Sequence, residues 1–209
     1  MAEMGQYFGI EGSFRTRETI EKSVFITTLV RVETPEEAAA ELKRLRAEFS
    51  DATHNCYAYV VGEYKKSSDD GEPQGTAGRP MAQVLEMRGC DYMLAVVTRY
   101  FGGVKLGAAG LVSAYSGCVA RALDKAALKK YVSGIFFSVC VPYSLAGAAE
   151  KALTAAGAAV NARSWESEAR FEAAVAEEKF QGVKKMLADA TSGRASVKEG
   201  RKGYFACKE

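Results

Sequence analysis

The clearest feature of the hydrophobic pattern is an unbroken apolar run from Tyr92 to Val97. It is too short for a helix and suits a strand covered on both faces. Gly102 and Gly103 break the run, and Gly107 and Gly110 follow at the start of a new periodicity. Leu111, Tyr115, Cys118, Val119, Ala122 and Ala126 then recur at three- and four-residue intervals, predicting a helix from Gly107 to Lys130. The whole stretch, YMLAVVTRYFGGVKLGAAGLVSAY, reads as strand, glycine turn and helix start.

Upstream, Ser13 to Val32 holds two extended segments, the second rich in β-branched residues from Val24 to Val32. Thr34-Pro35-Glu36-Glu37 carries the signals of a helix start: an N-cap, a first-turn proline and a capping-box glutamate. Ala38, Leu42, Leu45 and Phe49 place one apolar face on that helix. Asp51 to Cys56 reads as a polar loop before a strand from Tyr57 to Val61, and Glu63 to Gly78 as a long second loop. A short helix is expected from Pro80 to Met87. From Tyr131 the pattern restarts: strand Val132–Val141, helix Ser144–Ala156 ended by Gly157, strands Ala158–Trp165 and Ala169–Ala176, helix Glu177–Thr191, and a last strand Arg194–Ala206. The order βαββαβ predicts a ferredoxin-like sandwich. The fold class is therefore α+β, with domains at 1–130 and 131–209 joined without a Gly/Ser/Pro-rich linker.

Composition narrows the class. Among the 209 residues, 28 Lys and Arg against 26 Asp and Glu give a formal net charge of +2. Indiscriminate polyanion binding is excluded by that balance, while a local basic surface is not. The 5 cysteines are scattered without a CxxC pair, which fits free thiols in a reducing compartment. The opening MAEMGQYFGIEG lacks the basic flank and apolar core of a signal peptide, and no apolar run spans a bilayer. A cytoplasmic protein without a membrane partner is expected.

Three places carry candidate chemistry. His54, the 1 histidine of the chain, could move protons or pair with Cys56, or simply fix its loop with Asp51 capping the backbone. Asp69, Asp70 and Glu72, beside glycines, could hold a hard cation such as Mg²⁺, or act as acid and base, or be ordinary turn residues. Arg99, Gly102, Gly103, Lys105 and Gly107 form a candidate anion site, because a helix N-terminus offers unpaired N–H groups and partial positive charge. The spacing GGVKLGAAG lacks the ending of a nucleotide P-loop. Arg99 could instead pair with Asp69, Asp70 or Glu72. Lys198, Arg201 and Lys202 form a basic stretch on the last strand that could meet RNA.

Taken together, DATHNCYAYVVG, SDDGEPQGTAGRPM and VVTRYFGGVKLGAAGLVSAYS resemble the IMPACT family in its bacterial YigZ-like form. The resemblance covers Thr16 to about Ala126, with the C-terminal segment similar to the second domain usual in bacterial members. It implies that the first domain shares the α/β fold of the second domain of small-subunit ribosomal protein five, also seen in GHMP kinases. It implies a second domain like the last domain of elongation factor G. Its polar motif positions fall on Asp51, His54, Asp69, Asp70, Glu72, Arg79, Arg99, Gly102, Gly103 and Gly107. Ala109 stands where the family usually has glycine, and Ser113 where it usually has a basic residue, which would remove a charge from the start of the helix. Eukaryotic members are implied to restrain an amino-acid-starvation kinase through an additional N-terminal domain, a role not carried over here. The first reading is a regulatory binding protein linked to translation, contacting RNA or a ribosomal component through the glycine turn and the C-terminal sheet. The second is an enzyme acting on a phosphorylated or peptide-like small molecule, with a divalent cation on the Asp69/Asp70/Glu72 loop. A third is a scaffold whose charged loops meet a protein partner.

Overall fold

The computed structural model describes residues 5–207. The first residues of the opening segment, whose pattern argues against a signal peptide, lie outside them. Among the described residues the chain is a mixed α/β structure with two sheets and five α-helices, and it divides into two compact units, one of them Tyr7–Lys129, the other taking up the chain from Lys130.

β1 (Gln6–Gly9) enters the first unit at Tyr7, and its Phe8 exchanges backbone hydrogen bonds with Gly89 and Asp91. β2 (Ser13–Ile20) and β3 (Ser23–Arg31) form a hairpin whose turn residues, Glu21 and Lys22, both take positive φ. α1 (Pro35–Glu48) is capped by the Thr34 hydroxyl, which accepts the Glu37 N–H, while the Glu37 carboxylate reaches back to the Glu33 N–H at 2.7 Å. The anticipated capping box is therefore present, displaced by one residue at its return bond. Then come β4 (His54–Val61), β5 (Tyr64–Ser68), α2 (Gly78–Met87), β6 (Met93–Tyr100) and α3 (Gly107–Lys125).

These strands pair antiparallel in the order β2-β3-β6-β4-β5. β6 is central, so the apolar run that marks it in the sequence is buried on both faces. Ala95 and Val97 face one core with Met81, Leu85, Leu111 and Tyr115 from α2 and α3. Leu94 and Val96, one step along the strand, face the other with Ala38 and Leu45 of α1. Three expectations need correction. β4 starts at His54 rather than Tyr57, because the polar residues His54 and Asn55 pair with Arg99 and Thr98 of β6. Residues 64–68, expected as loop, form an edge strand whose Lys65 and Lys66 blunt its free side. α3 ends at Lys125, and Lys129 and Lys130 already belong to the next strand.

The second unit contains β7 (Lys129–Val141), a 3₁₀ turn, α4 (Ala146–Ala155), β8 (Ala159–Trp165), β9 (Ala169–Ala176), another 3₁₀ turn, α5 (Phe180–Thr191) and β10 (Ser196–Ala206). These strands lie antiparallel in the order β10-β7-β9-β8. Ala149 and Leu153 of α4 and Phe180, Val183 and Leu187 of α5 bury one sheet face through Phe137, Val139, Phe171 and Ala173. No described helix is long and apolar enough to cross a membrane.

Candidate functional site

The glycine turn after β6 is held against the β2–β3 hairpin. A Cβ on Gly102 would stand 2.0 Å from the Lys22 carbonyl oxygen, so only glycine lets the two backbones meet. Gly103 and Gly107 take positive φ, which redirects the chain into α3. The buried Ser23 hydroxyl accepts from the Gly102 N–H and from the Arg99 Nη2, both at 3.2 Å. Turn, hairpin and strand end are thus tied at one point.

The acidic loop approaches the same point from the other side. Asp70 and Gly71 both take positive φ, and the Glu72 N–H closes the turn on the Asp69 carbonyl at 2.9 Å. Asp-Gly is suited to two successive left-handed residues. This turn sends its three carboxylates in different directions. The Asp69 carboxylate accepts N–H bonds from Gly75, Ala77 and Gly78, and so caps α2, which has no cap of its own. Burial pushes the Asp69 carboxyl upward, but the N–H donors of Gly75, Gly78 and Ala77 outweigh it and hold the group below the usual range. Asp70 accepts from the Asn55 N–H at 2.7 Å and pairs with Arg46. Glu72 alone turns inward. The expectation of one cation held by all three therefore fails on geometry, and no group of three His, Cys, Asp or Glu is arranged for a metal among the described residues.

Glu72 Oε1 receives Arg99 Nη1 at 2.6 Å and the Tyr115 hydroxyl at 2.8 Å. Their side chains are 5% and 3% exposed for Arg99 and Glu72, so the ion pair is buried. Of the three acids that could partner Arg99, the structure selects Glu72. The guanidinium lies 5.4 Å from the ring centroids of both Phe25 and Phe101, and its Nε has no hydrogen-bond partner. His54 Nε2 stands 3.9 Å from the same Glu72 oxygen, while its Nδ1 lies 2.8 Å from the Asp70 carbonyl. Cys56 is no partner for His54: its thiol donates to the Asp69 carbonyl at 3.0 Å, and burial pushes it up to about 12. The Tyr115 hydroxyl is likewise pushed far up by burial and stays a donor.

Above this pair opens a cleft of ≈ 240 Å³, lined by Glu72, Pro73, Arg99, Phe101, Lys105, Leu106, Gly107, Ala108 and Leu111. The first turn of α3 forms one wall and has no side-chain cap. The contrast with α2 is instructive, since there Asp69 satisfies the first-turn donors. In α3 no side chain caps the first-turn N–H groups; Lys105 lies beside them on the cleft lining, while Arg99 there is already paired with Glu72.

Arg99, Glu72, Gly102, Lys105 and Gly107 are thus brought together, with His54 alongside. Asp51 is not: it accepts from the Tyr100 hydroxyl at 2.8 Å at an exposed strand end. Arg79 is exposed in the first turn of α2 and does not line the cleft. Ser113 lies in the second turn of α3, not the first, and is exposed, so the lost basic residue leaves the cleft lining intact. Ser23 and Tyr115 were not among the sequence candidates. Ser23 gives no local signal, and Tyr115 reads as one more apolar stripe residue. In the second unit, Lys202 pairs with Glu177, Arg201 packs 4.4 Å from the Phe136 ring centroid, and Lys198 stays exposed.

Residues 21–123 match the family model described as the Impact N-terminal domain. The chain is 36% identical over 202 residues to the IMPACT family member YvyE of Bacillus subtilis, covering 95% of this chain and 93% of that protein. It is 49% identical over 111 residues to the IMPACT family member YigZ of Escherichia coli, covering 51% of this chain and 54% of that one. A solved structure described as the crystal structure of an hypothetical protein superposes with a TM-score of 0.61 at 31% identity, over 94% of this chain and 98% of its own.

Proposed function

This chain belongs to the IMPACT family, and from that premise we propose that it is a cytoplasmic regulatory binding protein linked to translation. Its glycine-turn cleft receives a phosphate of RNA or of a ribosomal component. One observation carries the reading: an uncapped helix N-terminus, Lys105 and the buried Arg99 converge on a single open cleft. The anion-binding residues of this reading are Arg99, Lys105 and Gly107 on the cleft lining, with Gly102 and Gly103 shaping the turn beside it. The domains are 1–130, an analogue of the second domain of small-subunit ribosomal protein five, and 131–209, a ferredoxin-like analogue of the last domain of elongation factor G. The strand order β10-β7-β9-β8 supports the second analogy. Filter binding with tRNA and ribosomal RNA fragments across a salt series tests the proposal. Affinity should fall with salt, and Lys105→Glu should weaken it. Absent or salt-independent binding would end it.

A second reading has its own support. The cleft is concave, one wall carries Phe101, Leu106 and Leu111, and His54 stands beside Glu72, so a small phosphorylated or peptide-like substrate also suits it. Thermal-shift screening with phosphorylated metabolites and divalent ions separates the two. A melting point raised by no ligand, with every screened activity indifferent to His54→Ala, excludes the enzyme.

A further inference from the structure

A second concavity, of ≈ 370 Å³, lies on the opposite face of the first sheet, between α1 and the β4–β5 edge. Its base is aromatic. Tyr57 and Tyr59 project to the same side of β4, their rings near parallel at 13° with centroids 6.5 Å apart. Its walls are apolar low down, at Leu42, and cationic at the rim. Lys43 and Arg46 stand three residues apart on α1, and Lys66 pairs with Tyr59 across the β4–β5 ladder. The Arg46 guanidinium lies 5.7 Å from the Tyr57 ring centroid.

The charge of this groove is one-sided. Three of its lining residues are cations and none is a carboxylate. Arg46 is held at one end by Asp70. The alternation of β5 sends Lys65 to the other sheet face, where Glu86 pairs with it at 3.0 Å, and sends Lys66 here. Edge protection accounts for lysines on β5 but not for aromatics between them and a basic helix face.

We infer that this groove is a binding site for single-stranded RNA, a base stacking on Tyr59 while Lys43, Arg46 and Lys66 take the flanking phosphates. Aromatic surface next to exposed cations is the combination that holds splayed bases and tracks a backbone, and Arg46, anchored at one end by Asp70, keeps its guanidinium beside the Tyr57 ring. A duplex, whose bases are already stacked and whose edges lie in narrow grooves, cannot present a base to Tyr59. The groove shares no residue with the glycine-turn cleft, and its occupancy stands independently of that site.

The test is fluorescence anisotropy of the full chain with a short labelled oligouridylate and a labelled RNA duplex. Tyr59→Ala should weaken single-strand binding about fivefold or more, and Tyr59→Phe should restore it. The exposed pair Lys43→Glu/Lys66→Glu leaves the core untouched and should lower the salt slope by about 1.4. Lys105→Glu serves as the separate probe of the cleft. An effect confined to Lys105→Glu overturns the groove and leaves the cleft standing. An effect confined to the groove variants supports the groove and counts against the cleft. Equal affinity for duplex and single strand, no single-strand binding, or groove variants that bind like the parent protein overturn the inference.

Discussion

Replacing Glu72 tests the central claim that one carboxylate holds three distant elements together. In Glu72→Ala, Arg99 keeps its 5% exposed side chain but loses its ion-pair partner, leaving the Ser23 hydroxyl as its hydrogen-bonding contact. The Tyr115 hydroxyl, whose bond to Glu72 is buried, loses an acceptor as well. Breaking a buried pair from one side costs about 3–5 kcal/mol, and a stranded hydroxyl adds about 1 kcal/mol. Against a domain stability on the order of 5–15 kcal/mol, that is a large fraction. Urea unfolding followed by circular dichroism should show the midpoint falling by about 1 M or more, and melting should drop by roughly 10 °C or more. Glu72→Gln keeps an acceptor for both donors and should lose less than half as much. The double variant Glu72→Met/Arg99→Met removes both charges and should be more stable than Glu72→Ala, because no buried charge is left alone. A loss below about 1 kcal/mol for Glu72→Ala, or a double variant whose loss equals the sum of the single ones, would refute the reasoning.

Other outcomes follow from the same geometry. The Asp69 carboxyl is held below its ordinary value, so its stabilisation is complete above about pH 4 and is lost as pH falls through the lower folded value. Asp69→Asn should cost about 1 kcal/mol at neutral pH and flatten the acid limb of a stability–pH profile. Gly102→Ala forces backbone against the Lys22 carbonyl and should destabilise by about 3 kcal/mol, read by urea titration. Burial pushes the Cys56, Cys90 and Cys118 thiols up to about 12, so a thiol reagent should modify exposed Cys207 first and these three only on unfolding.

The hydrophobic pattern made the central strand and both long helices of the first unit legible, and β7, β9, α4 and α5 of the second, because each buries an apolar face; β8 and β10, though mostly exposed, are delimited by the turns on either side. It failed where burial is polar or absent. His54 and Asn55 enter β4 by pairing with β6, and the Asn55 side chain accepts from Thr98 at 2.7 Å, a contact no local pattern announces. β5 has almost nothing to bury, so YKKSS looked like loop. The site was legible in part: opposite charges flanking two glycine-rich turns pointed to Arg99 pairing with an acid. Which acid depended on the left-handed Asp70-Gly71 turn, which aims Asp69 and Asp70 at backbone N–H groups and Glu72 at the core. Asp69 caps a helix that begins nine positions further on, beyond the reach of any capping motif read along the chain.

The same turn sets how the molecule opens. Surface loops ordinarily exchange their amide hydrogens through small local fluctuations that leave the rest of a domain closed. The segment from Asp69 to Ala77 cannot, because lifting it frees the start of α2, exposes Arg99 uncompensated and strips Tyr115 of its acceptor in one step. The amides of Gly75, Ala77 and Gly78 should therefore exchange nearer the slow rate of the central sheet than that of a free loop, and limited proteolysis should cut this exposed segment late.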